Sequence, residues 1–393
     1  MNRGLRILAV VLAGALVPGG CSAQDAPDPE VSVSPVARTW TESVLPAPAG
    51  AVGRIVLRDA TVCQGRRFVV GAVQDDSGGT VPAAWSSSGA GAWTSIRIDA
   101  RSYYGKQNVL YSVACREGRM GALGAKAGGA HGYPRTSSWR ETPDGVLHEV
   151  SAPFELFGGP QAVNVARLDA GPPGWLISGN RMSGAASWVS RDGSAFRIVE
   201  RAPVLASGDA GETWSFDGVA AVAGWVMVGG ELPSGRIDRD AVGWQSPDGV
   251  SWRRLPAAGA TPVYEELQRV VSDGSPVAVG VRGAVFGVWR LDGDRWLPGA
   301  AFGAVPPGGK AGVRSLAVAG AELFCVTSDG VAHTLWTSAD GGGAWRPVVL
   351  PVAVPAGADR AVAVAGEAGG AGRLLMVVDD GVRARVYLEG AGG

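Results

Sequence analysis

The sequence predicts an all-β protein assembled from seven repeated four-stranded sheets. Three observations carry that prediction. Glycine makes up 61 of the 393 residues, and long helices tolerate glycine poorly whereas tight turns demand it. A short apolar run closed by glycine recurs along the chain, with closing glycines at 71, 124, 179, 229 and 280, spacings of 53, 55, 50 and 51. A tryptophan follows almost every run, and most of the 14 tryptophans fall into this pattern.

The N-terminal segment stands apart from the repeats. Arg3 and Arg6 precede an apolar run of 11 residues, Ile7 to Val17, too short to span a bilayer but the length of a signal-peptide core. The following VPGGC resembles a bacterial lipobox, with Pro18 where that family usually has leucine. The resemblance implies a signal peptide over residues 1–20 and a lipid on Cys21; ordinary cleavage just beyond Cys21-Ser22-Ala23 is the alternative. Residues 21–37, rich in Pro, Ser, Asp and Ala, are expected to form a disordered tether. A lipid of this kind would hold the protein on the outer face of the cell membrane, and either route exports it.

The repeats fill residues 38–390. Runs FVVG (68–71), MGALG (120–124), WLISG (175–179), WVMVG (225–229) and PVAVG (276–280), with looser LFCVT (323–327) and LLMVV (374–378), read as the second strand, B, of each unit. The third strand, C, carries Trp85, Trp139, Trp188, Trp244, Trp289 and Trp336. A Gly-rich or Asp-Gly turn and an aromatic residue follow, as in WSSSGAGAW (85–93), WQSPDGVSW (244–252), WRLDGDRW (289–296) and WTSADGGGAW (336–345). Such turns between apolar strands signal hairpins, here between C and the fourth strand, D. Unit two has TPDG (142–145) with His148 in the D slot, and unit three SRDG (190–193) with Phe196.

The seventh unit has no D strand of its own before the chain stops, whereas TWTESVLP (39–46) supplies one at the other end, with Trp40 in the slot. This resembles the closure of β-propellers, in which the N-terminal strand completes the last blade and removes an open sheet edge. The fold class expected is therefore a seven-bladed β-propeller, acting as a monomer. Eleven tryptophans in C or D slots are expected to pack between blades.

SGDAGETW (207–214) matches the full S-x-D-x-G-x-T-W pattern and resembles the Asp-box of sialidases and other propellers. In those proteins the box forms the C–D turn, where Ser and Asp side chains satisfy turn amides and Trp wedges beneath. By register, that place is held here by Ser246, Asp248 and Trp252, by Ser338, Asp340 and Trp345, and by the remnant at 190–193. SGDAGETW lies out of register, in the segment expected to be a loop between units three and four. Asp-box propellers with seven blades include photosystem-assembly factors; those with six include sialidases.

On a propeller the D-to-A and B-to-C loops open on one face, where ligands bind. Candidate contact residues there are Tyr103, Tyr104, Tyr133, Arg135, Arg181, Trp214, Arg236, Arg239, Tyr264 and Glu265, because Tyr, Trp and Arg favour interfaces. The expected function is non-enzymatic binding of a protein or glycan partner on this face. The alternative is a sialidase-like glycoside hydrolase. Resemblance to sialidases would then require three arginines on a carboxylate and a Tyr–Glu pair, for which Arg54 (in GRIV, similar to the family's F/Y-R-I-P), Arg181, Arg239, Tyr264 and Glu265 are the candidates.

Other chemistries find no support. Lys plus Arg total 35 against 36 for Asp plus Glu, without the basic surplus that nucleic acid requires. His131, His148 and His333 stand near no cysteine pair or HExxH, and neither a dinucleotide fingerprint in a βαβ context nor a nucleophile elbow is present. No metal or cofactor is expected. Asp75-Asp76 and Asp379-Asp380 read as solvated loop charge. Cys63 and Cys115 end the first strands of units one and two and are placed to form a disulfide; Cys325 reads as a buried thiol.

Overall fold

The computed structural model describes residues 34–89, 91–128, 134–259, 262–308, 310–366 and 372–390. The segment expected to be a signal peptide, Cys21 and Tyr133 lie outside the described residues. The protein is an all-β, seven-bladed β-propeller. The innermost A strands are Arg54–Cys63, Val109–Arg116, Ala162–Gly171, Gly211–Ala221, Glu265–Asp273, Gly312–Ala319 and Ala361–Ala365. Each pairs antiparallel with its B strand, then C, then D. In the last blade Trp40–Ser43 supplies D by pairing with Ala384–Glu389, Trp40 opposite Glu389, so the N-terminal strand does close the ring.

Two details depart from the sequence reading. Blade two gains a fifth strand: Arg97–Asp99 leaves blade one and runs parallel to Val146–Glu149 on the outer edge of blade two. Order also begins before residue 38. Val36 bridges Val348 in blade six, its amide donating to the Pro347 carbonyl at 2.7 Å.

Seven apolar clusters fill the spaces between blades, one for each pair of neighbours. Trp85, Trp139, Trp188, Trp244 and Trp289 of the C strands are essentially inaccessible. Each ring removes roughly 150–250 Å² of surface from water, which makes the tryptophans the main inter-blade cement.

Six A strands carry a β-bulge at the same point, between Leu57 and Asp59 in blade one and between Ser215 and Asp217 in blade four, for example. The glycine that closes each B marker pairs with the residue at the start of the bulge: Gly71 with Leu57, Gly229 with Ser215, Gly280 with Leu267. A Cβ at Gly71 or Gly280 would overlap the carbonyl of Val56 or Glu266, so the kinked strand can approach only glycine. Blade seven has no bulge, and its B strand has valine there.

Side chains satisfy one amide of each A strand across the blade boundaries. Asp59 accepts from Val113 (3.0 Å), Ser112 from Leu168 (3.0 Å), Asp169 from Ala220 (2.7 Å) and Asp217 from Val270 (3.2 Å). Gln268 accepts from Val313 (2.7 Å), Ser315 from Val364 (3.1 Å) and Asp379 from Leu57 (3.2 Å). These seven links run head to tail around a central channel, whose inner cavity of about 260 Å³ is lined by all seven A strands. Asp379 is thus wholly buried, not a solvated loop charge. It is held by Arg54 (2.7 Å) and Arg58 (2.9 Å). Cys63 and Cys115 are joined as a disulfide, with Cα atoms 6.0 Å apart, and Cys325 is buried in its B strand.

Candidate functional site

The C–D turns at 246–252 and 338–345 share one hydrogen-bond pattern. The Ser246 hydroxyl donates to Asp248, and Asp248 Oδ1 in turn accepts the amides of Val250 (2.8 Å) and Ser251 (2.7 Å). Asp340 does the same for Gly343 and Ala344, both at 2.9 Å. Trp252 and Trp345 lie buried beneath, donating to the carbonyls of Gly249 and Gly342. Asp192 repeats the arrangement with Ser194 and Ala195. The amides bonded to Asp248 act with some opposition from burial, and they hold its carboxyl down at about 2. These residues fasten turns.

SGDAGETW adopts a different structure. Only residues 207–210 form a loop; Gly211 already begins the A strand of blade four, so Trp214 is a strand residue, half-buried, and not the loop residue expected. Ser207 accepts the Thr213 amide at 3.0 Å, and Thr213 bonds Leu205 and the amide of Ala185. The letters of the motif therefore serve strand entry, because the preceding bridge Gly208–Gly211 sets the chain into the sheet.

The remaining candidates fall into two groups. Around Trp214, the Arg239 guanidinium lies 5.9 Å above the indole and 3.2 Å from Glu266. Glu266 also accepts from the Tyr264 hydroxyl at 2.6 Å and from Gln268. Burial, followed by the adjacent Glu266 charge, pushes the Tyr264 hydroxyl well above its ordinary value. The acid beside Tyr264 is Glu266, not Glu265, because alternate residues of a strand share a face and Glu265 points away to Arg282 (3.6 Å).

The second group lines a cleft of about 480 Å³ between blades two and three. Its walls come from the loop at 101–104, Pro134 to Ser137 of blade two and the short helix Phe154–Phe157 with its flanks. Arg135 lies between the rings of Phe154 (4.6 Å) and Tyr104 (5.6 Å) and has no carboxylate partner among the described residues. Tyr104 packs edge-on to exposed Tyr103. Glu149, in the cleft floor, accepts the amides of Arg101 and Ser102 (both 2.7 Å) and the hydroxyls of Ser102 (2.5 Å) and Ser137 (3.0 Å). Burial alone would raise its pKa, but these donors outweigh it and hold the carboxyl below its usual range.

The other arginines are already engaged. Arg181 is buried, bonds Glu200 (2.9 Å) and the Gly158 carbonyl (3.0 Å), and so braces the helix behind the cleft. Arg236 pairs with Asp240 at 2.8 Å. Arg54, Arg181 and Arg239 each have a separate carboxylate, Asp379, Glu200 and Glu266. Among the described residues no cluster of three His, Cys, Asp or Glu is arranged to hold a metal. Phe154 and Glu266, not among the residues expected from the sequence, belong to these two groups.

No protein-family description matches the chain, and no curated protein matches it in sequence. Solved structures do match in shape. The β-propeller domain of the Trilobed protease from Pyrococcus furiosus superposes with a TM-score of 0.50 at 10% identity, over 87% of this chain and 95% of that domain. The Trypanosoma rangeli sialidase in complex with the inhibitor DANA gives 0.43 at 11% identity over 86% of this chain, which spans 55% of the sialidase's length. An α-L-arabinofuranosidase from Fusarium graminearum gives 0.45 at 14% identity, over 75% and 96% of the two chains. At these identities the likeness is one of fold: the chain shares the β-propeller architecture.

Proposed function

We propose that the protein is an exported, lipid-anchored propeller, tethered through Cys21, that binds an extended protein or glycan segment in the cleft between blades two and three. The observation that carries this reading is Arg135, stacked between Phe154 and Tyr104 without a carboxylate partner among the described residues. Aromatic faces beside a weakly hydrated guanidinium are the surfaces on which binding energy concentrates. Glu149, held low by four donors, does not have the raised pKa that a glycosidase's general acid needs. The C–D turns tie their own amides, as Asp-box turns do in other propellers, and none of them lines this cleft.

One observation favours a second reading, a sialidase-like glycoside hydrolase: the 2.6 Å Tyr264–Glu266 bond beside Arg239 is the contact that a tyrosine nucleophile and its base would need. A single experiment separates the two. The secreted chain is screened against glycan and peptide arrays and against fluorogenic glycosides. Binding that falls about tenfold or more in Arg135→Ala and Phe154→Ala, without turnover, supports the cleft. Turnover abolished by Tyr264→Phe supports the hydrolase and overturns the first reading.

A further inference from the structure

A second cavity, of about 690 Å³, opens on the loop face between blades six and seven, at the mouth of the channel. Its lining contains six basic side chains, Arg58, Arg167, Lys310, Arg314, His333 and Arg360, and no carboxylate among the described residues. Their existing partners leave positive charge over. Arg58 shares the single carboxylate of Asp379 with Arg54. Arg167 has Asp59 at 3.1 Å, and Arg360 has Asp359 only at 3.8 Å, spending its closer bonds on the carbonyls of Asp380 and Ala356. Arg314 donates to the Lys310 carbonyl at 2.9 Å and has no acid, and the Lys310 ammonium has no partner among the described residues. His333 is buried with Nδ1 against the Val354 carbonyl.

The backbone places these groups for a reason. Arg58 and Arg314 are the extra residues of the A-strand bulges in blades one and six. A bulge re-aims a side chain out of the sheet, here into the cavity mouth. Lys310 and Arg360 sit in the loops just before the A strands of blades six and seven. Unneutralised guanidinium and ammonium groups around a recess favour an oxyanion that accepts several bonds at once. Two unpaired cations, with Arg58 half-neutralised, call for more than one negative charge.

We propose that this cavity is a binding site for a dianionic oxyanion, a phosphate or sulfate group, separate from the cleft between blades two and three. The volume lies within the roughly 300–1,000 Å³ of small-ligand sites, so the anion can be free or carried on a small organic group.

The test is calorimetric titration of the full chain with inorganic phosphate, sulfate, acetate and glucose 1-phosphate. The expected result is that phosphate and sulfate bind about tenfold or more tightly than acetate, and that affinity falls as salt rises. Arg314→Gln and Lys310→Ala, both exposed positions, each weaken phosphate about tenfold while melting temperature is unchanged; Arg253→Gln on the outer edge of blade four has no effect. Tighter binding of glucose 1-phosphate than of phosphate identifies a phosphorylated small molecule as the source, and the reverse identifies the free ion. Equal affinity for acetate and phosphate, or phosphate binding untouched by both variants, overturns the proposal.

Discussion

The Asp379 carboxylate accepts the Leu57 amide at 3.2 Å, and this bond joins the last blade to the first. It is the one link of the ring whose acceptor comes from a B strand, because blade seven has no bulge in its A strand to offer one. The same carboxylate is the anchor for Arg54 and Arg58.

Replacing Asp379 with alanine leaves an amide and two partly buried guanidiniums without their partner. The expected loss of stability is about 2–4 kcal/mol, measured by urea denaturation. Asp379→Asn keeps an acceptor for Leu57 and loses less. Equal stability of all three proteins would show that the closing link contributes nothing.

Gly280→Ala places a Cβ against the Glu266 carbonyl and forces the bulged strand aside. A cost of about 1–3 kcal/mol is expected. Gly208→Ala, where an added Cβ meets no neighbour, is the control and changes stability by less than about 0.5 kcal/mol.

Asp169 titrates abnormally: burial first, partly opposed by the Ala220 and Ala170 amides, raises its pKa to about 7. A carboxyl raised above its unfolded value of 3.8 contributes stability that is complete below pH 4 and is lost as pH climbs through 7. Asp169→Asn keeps an acceptor for Ala220 and carries no charge. It should be more stable than the parent by about 1–2 kcal/mol at pH 8, and no more stable at pH 4. Thermal unfolding at the two pH values decides it, and a variant less stable at pH 8 would refute the assignment.

Fold was legible because its signals are local and repeated. The closing glycines of FVVG and PVAVG mark bulges, and the Trp slots mark wedges between blades, so seven units could be counted along the chain. The site was less legible because it depends on which side of a strand a residue takes. Tyr264 and Glu266 share a face while Glu265 turns away, a difference of one residue that the motif YEE does not announce. Trp214 was misplaced for a related reason: four residues of SGDAGETW already belong to the strand. The basic cavity was invisible in the sequence, since Arg58 and Arg314 lie 256 positions apart and only ring closure makes them neighbours.

Each blade offers an acceptor on one flank and a donor on the other, always in the same rotational sense. Such a joint is indifferent to how many copies take part. Inserting or deleting one whole blade would leave every donor satisfied, so the links cannot be what counts to seven. What changes with blade number is the splay between neighbouring sheets, the space that the inter-blade apolar clusters and their tryptophans fill. Lineages that gain or lose a blade would accordingly be expected to alter the wedges and keep the joints.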